Sequence, residues 1–224
     1  MVRPAYKNAR GVWKFTGPYV EWRAKRITML THLVGGERWF NGKTVLELGC
    51  GLGHVGEVLR GYGAFVSFCE GHGRWRRRAQ NRLGQEVIQL DQDRPWDLGQ
   101  VFDLVVHWGV LYHLDDWRRD LRTALRHGRL LCLDTEVADS PNPDYELKVQ
   151  EGYATGSIYS IGTRPSRAAV EKVLREENAT FHRVDDPALD CRHHIYSWSD
   201  GYLGGQGEWK AGYNRFWFVR TGNA

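Results

Sequence analysis

Nine histidines and 27 carboxylates are spread along 224 residues, and a few of them stand where chemistry can be done. Histidine suits proton removal near neutral pH, and His107, His113 and the pair His193-His194 are the candidates. Asp134 and Glu136 follow the apolar run Leu130–Leu133. They are placed to orient a hydroxyl or, less readily, to hold a metal. A second set of acids, Glu47, Glu70 and Asp91, also ends apolar runs. Glu47 leads into Gly49, Gly51, Gly53 and Gly56 in VLELGCGLGHVG. Glycine costs conformational entropy on folding, so four in eight positions imply a backbone that a ligand approaches closely.

Gly51-Leu52-Gly53-His54-Val55-Gly56 matches GxGxxG, which alone is weak evidence for a dinucleotide. A dinucleotide sets its pyrophosphate against backbone N–H groups at this point. Glu47 would then add negative charge beside a phosphate. A cationic ligand reverses the sign of that effect. S-adenosylmethionine carries an α-ammonium and a sulfonium and no phosphate, so the order Glu47, Gly49, Gly51, Gly53 suits it better. Glu70 stands 21 residues beyond Gly49 and is placed to accept from ribose hydroxyls, with Gly71 letting the sugar come close. Asp91 is placed to accept from the adenine amino group.

These residues need elements to hold them. Val20, Ile27, Leu30 and Val34 predict a helix over Tyr19–Val34, closed by Gly35-Gly36. Strands are predicted at Thr44–Leu48, Ala64–Cys69, Val87–Leu90, Phe102–His107 and Arg129–Asp134. Helices over Val55–Arg60, Arg74–Leu83 and Asp115–Arg126 separate them. The nearly continuous apolar run Phe102–His107 suits a strand covered on both faces. Such alternation predicts a doubly wound α/β sheet. The stretch Ala138–Pro143 reads as a loop, Ser166 as the cap of another helix, and Ala179–Val184 and Arg215–Arg220 as the last two strands.

VLELGCGLG, CEG, LDQD and FDLVVHWGVLYHL together resemble the class I S-adenosylmethionine-dependent methyltransferases, over residues 40–135. IGTRPSRAAVEKVL is similar, more loosely, to a Pro-Ser helix start of some stand-alone members. The resemblance implies a Rossmann-like, doubly wound seven-stranded α/β sheet, mostly parallel with an antiparallel last strand and helices on both faces. It implies S-adenosylmethionine as cofactor and S-adenosylhomocysteine as product. Glu47, Gly49, Cys50, Gly51 and Gly53 would face the methionine part, Glu70 and Gly71 the ribose, and Asp91 with Gln92 the adenine. His107, Trp108 and Gly109 would line the floor near the methyl group. His113, in LYHL, occupies a position where the family commonly keeps a structural histidine. His107, His113, His193 and Glu136 are carried forward as catalytic candidates. No metal is expected, since the fourth strand ends in His107-Trp108-Gly109 rather than an acid.

Composition bounds the rest. The length suits one domain over residues 1–224, with an aromatic arm and helix over 1–38. Segments 136–164 and 186–213 are expected to cap the site. They concentrate Tyr145, Tyr153, Tyr159, Tyr196, Trp198, Tyr202, Trp209 and Tyr213, which suits a ring-shaped acceptor. The leading expectation is therefore O-methylation of a small molecule or sugar. Two alternatives stand beside it: a methyltransferase acting on tRNA, or a non-catalytic subunit that keeps the cofactor pocket. The tRNA reading draws on GVLYH, similar to enzymes of the wobble uridine, and on the basic run Arg74–Arg78 with Arg82. Net charge of only +4 makes nucleic acid the less favoured partner, and a solvated face the commoner outcome for that run. Four scattered cysteines without a CxxC pair, and no apolar leader or spanning segment, predict a cytoplasmic protein without a membrane partner.

Overall fold

A computed structural model describes residues 18–151 and 157–222. Most of the expected arm, and Tyr153, lie outside the described residues. Nine strands are described: β1 Thr44–Leu48, β2 Phe65–Glu70, β3 Ile88–Gln89, β4 Phe102–Trp108, β5 Gly128–Glu136, β6 Glu146–Gln150, β7 Ile161–Pro165, β8 Thr180–Arg183 and β9 Asn214–Arg220. The α-helices are α1 Pro18–Leu33, α2 His54–Gly61, α3 Gly73–Leu83, α4 Trp117–His127 and α5 Arg167–Glu176. Seven strands form one sheet in the order β3-β2-β1-β4-β5-β9-β8. Strands β1 to β5 pair in parallel, and β9 runs antiparallel to both β5 and β8. The order reverses between β1 and β4, where open α/β sheets bind their ligands.

Strand alternation sorts the apolar runs onto two faces. Leu46, Leu48, Val105, Leu131 and Leu133 pack with α4 and α5 through Leu121, Leu125, Val170 and Leu174. Val45, Leu104, Val106, Trp108 and Cys132 pack on the other face with α1 and α2 through Ile27, Leu30, Val55 and Leu59. At α4 and α5 the N-caps are side chains that accept backbone N–H groups. Asp116 accepts from Arg119 at 3.4 Å, so α4 starts at Trp117 rather than at Asp115. Ser166 accepts from Ala169 at 3.0 Å and starts α5 where the sequence places a cap.

One element departs from expectation. Within 136–164, β6 and β7 pair as an antiparallel ribbon, Glu146 opposite Pro165 and Gln150 opposite Ile161. Its second strand reads Ile-Gly-Thr-Arg-Pro, and glycine and proline are depleted from strands. Polar contacts hold the ribbon instead of an apolar stripe. Lys148 donates to Thr163 at 2.9 Å and Trp117 donates to Glu146 at 3.0 Å.

Helix α1 also seats itself differently from its apolar pattern. Ile27 and Leu30 are buried, but Val20 is 55% exposed. A cation fixes the helix. Arg26 is 1% exposed, its guanidinium 3.1 Å from the Trp22 ring centroid and 4.7 Å from that of Trp108. It ion-pairs with Asp134 at the end of β5, which also accepts from the Tyr196 hydroxyl at 2.8 Å and Asn214 at 3.1 Å. Burial pushes the Asp134 carboxyl up, and Arg26 pulls it back down. Arg26→Met would leave Asp134 buried without its cation, at a cost of about 3–5 kcal/mol. Urea unfolding measures it; a cost as small as that of a surface substitution, about 0.5 kcal/mol, would show the pair does not hold α1.

Candidate active site

The cleft opens at the reversal of strand order, above the carboxyl ends of β1 and β4. Gly49, Gly51 and Gly53 all take the left-handed conformation, with φ of 60°, 59° and 75°. A side chain on Gly49 would collide with Val110, and one on Gly53 with Leu83. The turn therefore requires glycine for both conformation and space. Gly56 serves differently. Its N–H donates to Glu47 at 2.9 Å, and an added Cβ would sit 2.6 Å from the same carboxylate oxygen. Glu70 accepts from the N–H groups of Gly51 and His72, each at 2.8 Å, and so ties the turn to β2.

Glu47, Gly49, Cys50, Gly51, Glu70, Gly71, Gln92, Trp108, Gly109 and His113 line this cleft. Gly53 shapes the turn from behind it. Asp91 stands outside the lining, accepting from the Tyr159 hydroxyl at 2.5 Å and from the Asp93 N–H at 3.0 Å. Asp93 and Ile158 line the cleft beside it.

His107 is fully buried and outside the cleft lining. Alternation along β4 sends Trp108 to the α1 face and His107 to the α4 face. There its Nε2 meets Asp120 at 2.7 Å, and Asp120 also accepts from Gln92 and Trp96. His107 ties β4 to α4, away from the methyl position expected for it. His193 is exposed and stacks on Tyr19, with ring centroids 6.4 Å apart and planes at 4°. The adjacent His194 is buried, stacked on Trp22 at 4.4 Å, and burial pushes its pKa down to about 3.

Glu136 is buried and also outside the lining. It accepts from Gly212 N–H at 2.9 Å, Trp209 at 3.2 Å and Arg164 at 3.3 Å. Arg164 in turn ion-pairs with Glu151, which accepts from His113 Nδ1 at 2.6 Å. A charged chain thus runs from the end of β5 to the cleft wall. Its last member is His113, so the structure brings that histidine, and not His107 or His193, to the site.

The aromatic walls are not those expected. None of the described rings from 136–164 and 186–213 lines the cleft, and Tyr196, Trp198 and Tyr213 are buried in the core. The walls come from Tyr19, Trp22, Trp75, Trp108 and Tyr112. Arg23 and Arg26 of α1 join them. Helix α1 carries these residues on a stripe that apolar periodicity does not mark, since it is aromatic and cationic. Among the described residues no cluster of ligands could hold a metal ion, and no helix is long and apolar enough to cross a membrane.

Residues 19–193 match a family described as a methyltransferase domain. The chain belongs to that family. A tRNA U34 carboxymethyltransferase of Marinobacter nauticus is 30% identical over a 200-residue alignment that covers 79% of this chain. The match covers 56% of that relative, so the chain spans little more than half its length. The N-terminal domain of EvdMO1, solved with S-adenosylhomocysteine bound, superposes with a TM-score of 0.64 at 19% identity. That match covers 89% of this chain and 80% of the other. Magnesium protoporphyrin IX methyltransferase from Synechocystis PCC 6803, with S-adenosylmethionine bound, gives 0.56 at 17% identity. It covers 90% of this chain and 81% of that one. The sheet is the Rossmann-like methyltransferase fold, with β9 the one antiparallel strand among its seven. The chain carries that methyltransferase domain, and the glycine turn with its two carboxylates has the shape and charge to take a cationic cofactor such as S-adenosylmethionine.

Burial pushes the Glu47 carboxyl up to about 8, against the Gly56 N–H; Glu70 adds to the rise, and Arg23 and Arg26 oppose it. Near pH 7 the domain without ligand therefore holds Glu47 largely protonated. A ligand bearing ammonium and sulfonium charge favours the ionised form, so binding releases a proton. Affinity for S-adenosylmethionine should fall as pH drops below about 8, by up to about tenfold per unit. Calorimetric titration across pH 6–9 checks this, and Glu47→Gln should flatten the profile.

Proposed function

We propose that the protein O-methylates a small hydroxylated acceptor, a sugar or phenol-like ring, with His113 as the proton acceptor. One observation carries this reading: His113 stands on the cleft wall with its Nδ1–H donated to Glu151 at 2.6 Å. A histidine whose one nitrogen is fixed by a carboxylate turns the other, Nε2, to proton transfer, and the carboxylate stabilises the imidazolium that forms. Tyr19, Trp22 and Tyr112 supply ring faces beside it. Segments 136–164 and 186–213 are read as the parts that close this end, through the β6–β7 ribbon and its Glu151.

The bound cofactor supplies an electrophilic methyl group on sulfur and leaves as a thioether. The chain's own task is to hold the acceptor oxygen in line with that methyl group and to take its proton. Glu47 and Glu70 would face the aminoacyl and ribose parts, with Gln92 and Leu90 at the adenine end. The EvdMO1 domain was also crystallised in the presence of D-fucose, which puts sugar hydroxyls first among acceptors to test.

A second reading has its own support. The tRNA-modifying relative and the exposed Arg74 and Arg77 on α3 favour a nucleic-acid acceptor. Against it, Arg82 of the same helix is already engaged with Glu57 and the Leu52 carbonyl.

Transfer of a labelled methyl group to a panel of sugars, phenols and total tRNA separates the two. The leading reading expects labelled small-molecule ether; label in tRNA alone, lost steeply with salt, would replace it by the second. With the acceptor found, His113→Asn should cut kcat by about 10²-fold or more while S-adenosylhomocysteine affinity stays near that of the wild type. Unchanged turnover would remove His113 from the reaction.

A further inference from the structure

The β6–β7 ribbon sends one apolar side chain to the cleft. Among the described residues of 136–164, only Ile158 belongs to the lining. It lies over Gly71, where an added Cβ would be 2.8 Å from Ile158 and 2.9 Å from the Leu90 carbonyl. Gly71 and Leu90 follow the ends of β2 and β3 and line the cleft too. Ile158 thus covers the cleft where those two strands run out.

The next residue is fastened from outside. Tyr159 donates its hydroxyl to Asp91 Oδ2 at 2.5 Å, and Arg94 Nε donates to that hydroxyl at 3.3 Å. The Arg94 guanidinium also stands 5.5 Å from the Tyr159 ring centroid. Asp91 Oδ1 accepts the Asp93 N–H at 3.0 Å, and the Arg94 N–H donates to the Asp91 carbonyl at 3.0 Å, so a turn holds the acceptor. Neither Asp91 nor Tyr159 lines the cleft, and Tyr159 is 42% exposed. Ser160 joins this contact to the rest of the ribbon. Its φ is 61°, a left-handed conformation that persists in a non-glycine residue only where the surroundings impose it. Its carbonyl accepts from the Glu151 N–H and from the Gln150 side-chain amide, each at 2.8 Å. Glu151 is the carboxylate that holds His113.

We propose that Tyr159 and Asp91 form a clasp that gates the cleft, and that cofactor and product pass beneath Ile158 when the clasp opens. The proposal rests on the cofactor reading given above and adds the route of exchange. A hydrogen bond to a carboxylate is stronger than one between neutral groups, so it keeps the ribbon down. Because it is exposed, water can replace both partners, as opening requires. Lifting Tyr159 also moves Ser160 and with it Glu151, so His113 is oriented only while the ribbon is down. The clasp atoms lie outside the lining and touch nothing the cleft would contain. Weakening the clasp therefore raises the open fraction with and without ligand alike. Entry and exit accelerate together, and affinity stays where it was.

The test is the kinetics of S-adenosylhomocysteine binding by stopped flow, in wild type, Y159F and D91N. Trp22, Trp75 and Trp108 line the cleft and give the fluorescence signal. Y159F removes the hydroxyl alone and should speed association and dissociation alike, by about tenfold or more, with Kd within about threefold of wild type. D91N keeps a weaker, neutral acceptor and should fall between, and thermal melting confirms that each variant is folded. Faster dissociation with unchanged association would make the ribbon a wall of the bound site and overturn the gate, as would unchanged rates. Tighter binding in Y159F with weaker binding in D91N would show the ligand taking Asp91 from Tyr159, which also overturns it. No binding in wild type would overturn the cofactor reading and the gate with it, whereas each of the other outcomes leaves that reading standing.

Discussion

A guanidinium pressed between two indoles and paired with a buried carboxylate decides where the first helix lies. Burying a charge costs several kcal/mol in a typical interior unless partners surround it. Here Trp22 and Trp108 cover the faces of Arg26, while Tyr196 and Asn214 satisfy Asp134 alongside it. The carboxylate comes from β5, the guanidinium from α1, the phenol from the segment before β9 and the amide from β9 itself. Four parts of the chain thus converge at the carboxyl edge of the sheet. The remaining residues of the α1 stripe then have nowhere to point but the cleft.

A second ionic chain holds the opposite wall. Glu136, Arg164, Glu151 and His113 follow one another from the end of β5 through the β6–β7 ribbon. Two carboxylates share one guanidinium, and the second of them, Glu151, also holds His113 Nδ1. The chain also gives a reason for a strand as unpromising as Ile-Gly-Thr-Arg-Pro: it delivers Arg164 between the two acids.

The sheet was legible because buried parallel strands read as apolar runs, and because helices between them start and stop on caps and glycines. The cofactor turn was legible from Glu47 and the glycine spacing, since both reflect charge and space at one place. What the sequence hid was facing. In Phe102–Trp108 nearly every residue is apolar, so no polar alternation marks which side chains meet the cleft, and His107 takes the face turned to α4. The stripe on α1 was hidden for the opposite reason: its most buried member is Arg26, beside a half-buried Trp22, and an apolar pattern scores an arginine as surface. The aromatics of 186–213 are rings with polar tips, and composition cannot say that Tyr196 spends its hydroxyl on Asp134 rather than on a substrate.

The same letters, GxGxxG, describe loops that cradle phosphate and the turn seen here, and the difference lies in where the N–H groups go. In a phosphate loop they converge on the ligand. In this turn Gly51 and Gly56 spend them on Glu70 and Glu47. That exchange removes donors an anion would need and leaves two carboxylates fixed by the backbone at the cleft wall. The site's polarity is thereby reversed without changing the course of the chain. A dinucleotide would meet acids where its pyrophosphate requires donors, whereas a sulfonium with an ammonium meets the charge it lacks.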